Sequence, residues 1–489
     1  MKKNKSLSIN AFLNLIKNGI TIIFPLITYP YLFRVLHAQQ MGKYNFAASI
    51  VSYFALFATL GTTTYAIREG SKIREDKKKI ESFSNLIFSF NILTTFISFL
   101  ILLTCSFFIP NLFSSKYLII LLGCSIIFTT LGIEWVNIIY EDFLYITIRS
   151  IIIQLISLIL ILLFVKKPSD IYIYAFIIVI SNALVCFLNL FYCKKYIKLK
   201  IVKINNIIIH LKPIFYLFAN NIATTIYVNS DLTMIGLILG DYYVGIYSLT
   251  VKIYTVIKNM LAALYSVVIP RISFFYNKGN LLEVKRIYTK LVSGLILFLL
   301  PISCGIILLS KNIIILMGGY EYLEGIFSLQ VLSIALIGAI IGGTIVYCLN
   351  LPLGKEKNSF YATTISAIIN ITLNIIMIPF FKQNGAAITT AISEFFVCFY
   401  SLFLLKNIRE YLDIKLFLYN VFCSVIGVIT IIIIYLLLSL LNYSIWVNMI
   451  LLIIISFISY FIELLLLKND ILLTFIKKIK IGDKNEKNY

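Results

Sequence analysis

Polar and charged side chains recur at helical spacing inside segments that are otherwise apolar. The first such segment carries five of them, three, four or seven residues apart: Asn10, Asn14, Lys17, Thr21 and Thr28. This spacing places all five on one face of an α-helix. Amides of this kind bond hydroxyl groups, and an ammonium group pairs with an anion. Because such a face is costly in lipid, it indicates a helix that borders water or a polar ligand.

A second segment repeats this pattern after a shift of 203 residues, since 231 − 28 = 203 and 245 − 42 = 203. Its polar residues fall at matching spacing: Asn220, Thr224, Tyr227 and Asp231. The same shift places the Gly-x-Tyr sequence of Gly42 and Tyr44 on that of Gly245 and Tyr247. We therefore predict two similar halves, in which 12–68 corresponds to 215–271.

The elements that must position these side chains are membrane-spanning helices. Hydrophobic residues make up 60% of the 489 residues, charged residues only 13%, and the mean hydropathy is +0.97. Since roughly 20 apolar residues cross a bilayer as a helix, the sequence predicts an all-α integral membrane protein with about fourteen spans. The predicted spans are 8–33, 44–66, 84–109, 117–138, 149–165, 171–192, 214–238, 244–269, 290–309, 325–350, 360–380, 385–404, 416–438 and 445–467.

The basic residues predict the orientation of these spans. Most of the 42 Lys and Arg residues fall in alternate connecting segments, as expected of cytoplasmic loops. Both termini are therefore predicted to be cytoplasmic, and both repeat copies begin on that side, which favours parallel halves. The net charge of +21 mostly reflects the basic residues of these predicted cytoplasmic loops. Nucleic-acid binding is disfavoured because the charges are dispersed over many loops.

Five of the charged residues within predicted spans are candidates for a polar interior: Lys17, Asp231, Lys252, Lys258 and Glu394. Further polar stripes run through Asn370 and Asn374 and through Thr390 and Glu394. As a set these residues favour a hydrated cavity between helices. For any one of them two other interpretations stay open: the lysines reach the membrane surface, or Asp231 pairs with a lysine to hold helices together.

The sequence carries none of the motifs expected of catalysis or metal binding. The eight cysteines are scattered singly, with no C-x-x-C pair, and His37 and His210 lie far apart. No glycine-rich phosphate loop is present, and the predicted outer loops are short. The first segment also lacks the cleavage site of a signal peptide. We predict a transporter, with no catalytic residue, metal ion or cofactor, rather than an enzyme.

Residues 25–69 resemble the opening of Wzx-type polysaccharide repeat-unit flippases, members of the multidrug/oligosaccharidyl-lipid/polysaccharide exporter superfamily. The matching positions are Arg34, Gly42, Tyr44, Gly61 and Arg68. His37 departs from the family, which tends to have glycine in this turn. Residues 141–170, 230–253 and 316–325 are similar to further parts of these proteins.

The resemblance implies two parallel, pseudo-symmetric six-helix lobes around a central cavity, with alternating access and two further C-terminal helices. Mapped onto the spans, this gives an N-terminal lobe at 1–192, a basic cytoplasmic linker at 193–213 and a C-terminal lobe at 214–404. The extra helices then occupy 405–467, and a basic cytoplasmic tail occupies 468–489. The implied location is the bacterial cytoplasmic membrane.

The implied substrate is an undecaprenyl-diphosphate-linked oligosaccharide, moved from the inner to the outer leaflet for surface polysaccharide synthesis. Ten residues form the expected substrate-binding set: Lys17, Asn18, Arg34, Asn45, Asn220, Asn221, Lys252, Lys258, Asn370 and Asn374. Asp231 and Glu394 are the candidates for coupling to Na⁺ or H⁺. Expected partners are membrane lipids, a polysaccharide polymerase and glycosyltransferases.

Two kinds of transporter remain as alternatives. One is a flippase for a lipid-linked peptidoglycan precursor or teichoic acid, and the other is a cation-coupled drug antiporter of the same superfamily. The antiporter is expected to have twelve spans and a cavity dominated by acids, whereas these spans offer at least as many cations as anions.

Overall fold

The computed structural model describes residues 7–204, 207–405, 407–441 and 444–474, without the side chains of 7–18, 20–23, 220 and 223. Sixteen α-helices occupy these residues, which contain no β-strand. They are α1 Leu7–Thr59, α2 Thr62–Ile73, α3 Lys77–Phe108, α4 Pro110–Phe113, α5 Lys116–Leu131, α6 Glu134–Ile139, α7 Phe143–Phe164, α8 Ile171–Cys193, α9 Ile208–Ile238, α10 Asp241–Ala262, α11 Tyr265–Asn277, α12 Leu281–Met317, α13 Ile326–Gly343, α14 Glu356–Leu405, α15 Ile414–Ser439 and α16 Ile445–Leu466. The predicted all-helical membrane fold is confirmed.

Helix α1 is broken at His37, which separates two of the predicted spans. The φ and ψ angles of His37 are 59° and 169°. An unbroken helix of 53 residues would be roughly 80 Å long, more than twice the hydrocarbon thickness of about 30 Å. A positive φ favours glycine, so the conformation explains why a glycine suits this turn and why histidine is strained there.

Helix α14 is broken in the same way at Lys382, where φ is 53° and ψ is −138°. Eleven helical ranges within the described residues are long and apolar enough to cross a membrane, and the two of 50 residues contain these breaks. Each of the two has room for two crossings, as the sequence predicts. The total of fourteen spans stays a prediction.

The helices group into two compact units. The first contains Met1–Ser248 and Asn374–Gln383, and the second contains Leu249–Leu373 and Asn384–Tyr489. The boundaries of these units do not coincide with those of the two repeat copies. The predicted lobes, linker and tail therefore stay predictions.

A basic segment after α8 is fixed to the first unit, and we name residues 194–204 the basic strap. The backbone N–H of Lys200 donates to Asn85 Oδ1 at 2.8 Å, and that of Val202 donates to Ser89 Oγ at 2.9 Å. Ile197 is buried in a cluster with Phe83, Ile87 and other residues of α2, α3 and α6. Asn85 and Ser89 thus satisfy backbone groups that a non-helical segment leaves open.

At the start of the basic strap, a lysine and two tyrosine hydroxyls surround the carboxylate of Asp142. The hydroxyls of Tyr192 and Tyr196 donate to Asp142 Oδ2 at 2.6 and 2.5 Å, and Lys195 Nζ lies 3.6 Å from the same oxygen. Burial, followed by the hydrogen bond to the Asp142 carboxylate, raises the pKa of Tyr196 above its ordinary value. Tyr196 therefore stays protonated and anchors the strap.

In the second unit α12 packs along α13 and α15, and apolar side chains of α12, α15 and α16 form its smaller clusters. Tyr288 bonds Thr344 at 3.0 Å, at the start of a π-helical segment that covers Thr344–Asn350. The Tyr265 hydroxyl donates to the Ile340 carbonyl at 2.7 Å. These contacts attach α11 and α12 to the end of α13.

Candidate functional site

Asp231 is the centre of a buried polar network in the first unit. Its side chain is contributed by α9 and is only 8% exposed. The Tyr247 hydroxyl donates to Asp231 Oδ2 at 2.7 Å, and Asn374 Nδ2 donates to Oδ1 at 2.6 Å. Each carboxylate oxygen thus has a neutral donor from another helix, α10 or α14.

A line of hydroxyl groups connects α9 with the second half of α1. Thr233, two residues beyond Asp231, donates to Ser49 Oγ at 3.0 Å, and Tyr53 bonds the Thr233 hydroxyl at 3.1 Å. Ser49 is buried, and Tyr53 and Thr233 are half-buried. Polar side chains of α1 and α9 therefore meet one another across a helix contact, which is how buried polar groups are stabilised.

Residues related by the repeat touch each other in the first unit. Asn45 Nδ2 donates to Ser248 Oγ at 3.1 Å, and these two positions are 203 residues apart. A Cβ added to Gly42 would overlap the Asp241 carbonyl, and one added to Gly245 would overlap the Ala38 carbonyl. Since 241 − 38 = 203, the two overlaps are the same contact seen from each copy. A local two-fold axis therefore passes between α1 and α10, whose backbones cross in direct contact.

The glycines explain the repeated Gly-x-Tyr sequence. Each glycine allows a carbonyl of the other helix to approach where any side chain would collide. The two tyrosines differ in role, because Tyr247 donates to Asp231 whereas the ring of Tyr44 lies 4.6 Å from that of Tyr174. The repeat thus conserves the helix crossing but not the polar contacts beside it.

Glu394 and Lys258 form an ion pair in the second unit. Lys258 Nζ lies 2.6 Å from Glu394 Oε1, and the Tyr254 hydroxyl donates to the same oxygen at 2.9 Å. The backbone of Glu394 also packs directly against Gly338. One predicted coupling residue and one predicted substrate residue are thus brought together. In this conformation the charge of Glu394 is already compensated.

The structure places the remaining predicted residues in different environments. Asn370 is buried, Asn221 and Lys252 are half-buried, and Arg34 is exposed one turn before the break at His37. The side chains of Lys17, Asn18 and Asn220 lie outside the described residues. Of the predicted residues, Asn374 bonds Asp231 directly, Lys258 pairs with Glu394, and Asn45 bonds Ser248 of α10. The roles of all twelve stay predictions.

Sequence reasoning missed a second buried cluster around Arg149 in α7. Its guanidinium donates to the Glu134 carboxylate and to Asn189 Oδ1, and Asn137 Nδ2 donates to the same Asn189 oxygen at 3.2 Å. Arg149 is 5% exposed. Arg149 begins the predicted span 149–165, which suggested a charge in water, whereas Glu134 and Asn189 inside other predicted spans were signals of a partner. The cluster joins α6, α7 and α8.

We expect Glu134→Gln to lower the free energy of unfolding by about 3 kcal/mol, because Arg149 would remain buried without its carboxylate. Thermal unfolding of the purified protein in detergent measures the change. Glu283→Gln is the matched control, since Glu283 pairs with an exposed arginine, Arg286, at 3.2 Å. This control should change the free energy by less than about 1 kcal/mol. Equal losses in the two variants would contradict a structural role for the Arg149 cluster.

The chain is similar over most of its length to two putative transporters. The putative O-antigen transporter of Escherichia coli (strain K12) is 25% identical over 431 residues, which are 83% of this chain and 99% of that protein. A putative O-antigen transporter of Shigella dysenteriae is 22% identical over 411 residues, covering 82% and 99% of the two chains. The chain therefore spans nearly the full length of both relatives.

Solved structures show the same fold at lower identity. The inward closed conformation of the lipid II flippase MurJ superposes with a TM-score of 0.73 at 18% identity, covering 94% of this chain and 99% of that one. An inward-facing multidrug resistance transporter of the MATE family has a TM-score of 0.58 at 13% identity, covering 80% and 98%.

A family model described as polysaccharide biosynthesis protein matches residues 7–275. This range contains the whole of α1–α10, and so both glycines of the helix crossing and Asp231. It is more than half of the 489 residues. The chain belongs to the polysaccharide biosynthesis protein family.

Proposed function

We propose that this protein moves undecaprenyl-diphosphate-linked oligosaccharide repeat units across the bacterial cytoplasmic membrane by alternating access. The observation that carries the proposal is the match to two putative O-antigen transporters over 99% of their length. The sugar head of such a lipid is too polar to cross hydrocarbon unaided, whereas the lipid tail stays in the membrane. Buried amides and hydroxyls in otherwise apolar helices form hydrogen bonds with the sugar head.

Substrate contacts are divided between charge and hydrogen bonding in this proposal. Lys252 and Arg34 pair with the diphosphate, and Asn45, Asn221 and Asn370 bond sugar hydroxyls. Lys258 becomes available to the diphosphate only when its contact with Glu394 opens, because the two groups lie 2.6 Å apart. Asp231 binds the coupling cation, Na⁺ or H⁺. Both termini lie in the cytoplasm, where glycosyltransferases supply the substrate, and a polymerase consumes the product outside.

Deletion of the gene in its own host is expected to remove surface polysaccharide and to leave lipid-linked repeat units in the inner leaflet. A plasmid copy of the wild type should restore export. Lys252→Gln should restore it about tenfold less well at equal protein level, because a charge-assisted contact to phosphate is lost. Lys278→Gln is the control, since Lys278 is exposed after α11.

Two results would contradict the proposal. Normal surface polysaccharide after deletion excludes the repeat unit as substrate. Accumulation of a lipid-linked peptidoglycan precursor instead of repeat units would favour the alternative function, a flippase for that precursor. The fold that the chain shares with MurJ fits both functions.

A further inference from the structure

An apolar cavity lies in the first unit, beside the beginning of α9. Its volume is about 490 Å³, within the range of about 300–1,000 Å³ found for small-molecule sites. Leu60, Phe90, Leu211, Phe215 and Phe218 contribute to its lining, which is apolar except for Lys212 and the Tyr216 hydroxyl. None of these residues belongs to the predicted substrate or coupling sets. The cavity offers space for a hydrocarbon chain and one positive charge.

The surroundings of this charge favour an anion. The sequence from Lys194 to Lys212 contains six lysines and no acidic residue. The basic strap carries five of these lysines. Hydrogen bonds to Asn85 and Ser89 fix its backbone in place. In the described parts of the chain, no ion pair involves Lys212. Basic pockets at the cytoplasmic ends of helices are recognised sites for phosphate-bearing lipids.

The helix around Lys212 is itself in contact with apolar medium. Ile208–Ala219 is an apolar helical segment, and Ile208 and Ile209 are 72% and 80% exposed. Because such side chains are stable in lipid, this end of α9 lies at the membrane and not in bulk water. Lys212 then occupies the depth at which lysines meet the headgroup region.

We propose that, before the diphosphate of the substrate lipid reaches Lys252 and Arg34, this cavity binds the first isoprene units of its polyprenyl chain in the leaflet from which it is taken, with a phosphate of that lipid at Lys212. One chain and one cation suit a single-chain polyprenyl phosphate better than a phospholipid, which carries two chains on one phosphate. The inference rests on the proposed function and adds a docking site for the lipid part of the substrate. The sugar contacts lie elsewhere.

Native mass spectrometry of the full chain in detergent, titrated with undecaprenyl phosphate, tests this site. The wild type should bind one molecule. Lys212→Gln should weaken binding about tenfold, since a charge-assisted contact is lost. Lys198→Gln removes the same charge from the strap without touching the cavity and should change binding far less. Leu211→Trp should also weaken binding by filling the cavity, whereas Ile209→Trp, on the exposed face of the same turn, should not.

Three outcomes would overturn the inference: no binding by the wild type, equal weakening by Lys212→Gln and Lys198→Gln, or equal displacement by phosphatidylglycerol. The last result would assign the cavity to ordinary anionic phospholipid. The proposed function is tested separately by the export phenotype of the deletion. Normal rescue of export by a wild type that binds no undecaprenyl phosphate would reject the docking site alone.

Discussion

Replacing Asp231 with asparagine is expected to reduce transport on the order of a hundredfold, the equivalent of one strong contact to a charged group. Asparagine has nearly the same shape, so the helices keep their packing, but the negative charge that we propose attracts a coupling cation is lost. Transport of lipid-linked repeat units into proteoliposomes, with an imposed Na⁺ or proton gradient, measures the effect. The variant should no longer respond to the gradient that drives the wild type.

Tyr247→Phe separates the charge of Asp231 from the network around it. This variant removes the Tyr247 donor to the carboxylate and leaves the charge in place. It should lower stability by about 1 kcal/mol, the net value of one hydrogen bond, and retain most of the transport. If Tyr247→Phe were as inactive as Asp231→Asn, the network and not the charge would be essential. An unchanged gradient response in Asp231→Asn would exclude Asp231 as the coupling residue.

The second large effect is expected at the crossing of α1 and α10. Gly42→Ala or Gly245→Ala places a methyl group on a backbone carbonyl of the other helix, so the helices must separate. Overpacking of this kind costs about 1–3 kcal/mol, which is enough to shift a conformational equilibrium about fivefold or more. Transport should fall accordingly, and thermal unfolding in detergent should report the loss of stability.

Gly294→Ala is the matched control for both glycine variants. Gly294 lies inside α12, and nothing lies within 4 Å of a Cβ added there. Alanine should leave transport unchanged and stabilise α12 by up to about 1 kcal/mol. The double variant Gly42→Ala/Gly245→Ala should cost less than the sum of the single variants, because both methyl groups separate the same pair of helices. Additive losses would mean that the two contacts are independent.

The sequence predicts the membrane fold and the repeat because both depend on local patterns. Apolar length marks each span, and the shift of 203 residues identifies positions that later prove to be in contact, as with Asn45 and Ser248. The sequence does not predict the contacts themselves. A repeat shows which residues are equivalent, whereas contact depends on where the symmetry axis lies.

Polar partners were harder to predict than polar positions. Asp231 stands out because a carboxylate in a span is costly, but Tyr247 and Asn374 bond it from helices far along the chain. Arg149 was missed because its position near a loop suggested solvent, and its burial depends on how α6 and α8 pack. Glu394 was predicted as a candidate for coupling to Na⁺ or H⁺, and its proximity to Lys258 depends on tertiary structure.

The local two-fold axis between α1 and α10 makes their crossing resemble a dimer interface within one chain. In a symmetric dimer each residue on the axis meets its own copy, and Asn45 and Ser248 keep that relation within one polypeptide. A half-length chain with the same crossing would pair with an identical copy, whereas two copies in one chain are free to carry different side chains. Thr28, which donates to the Phe24 carbonyl of its own helix, and Asp231, which accepts from Asn374, show this difference at one repeated position.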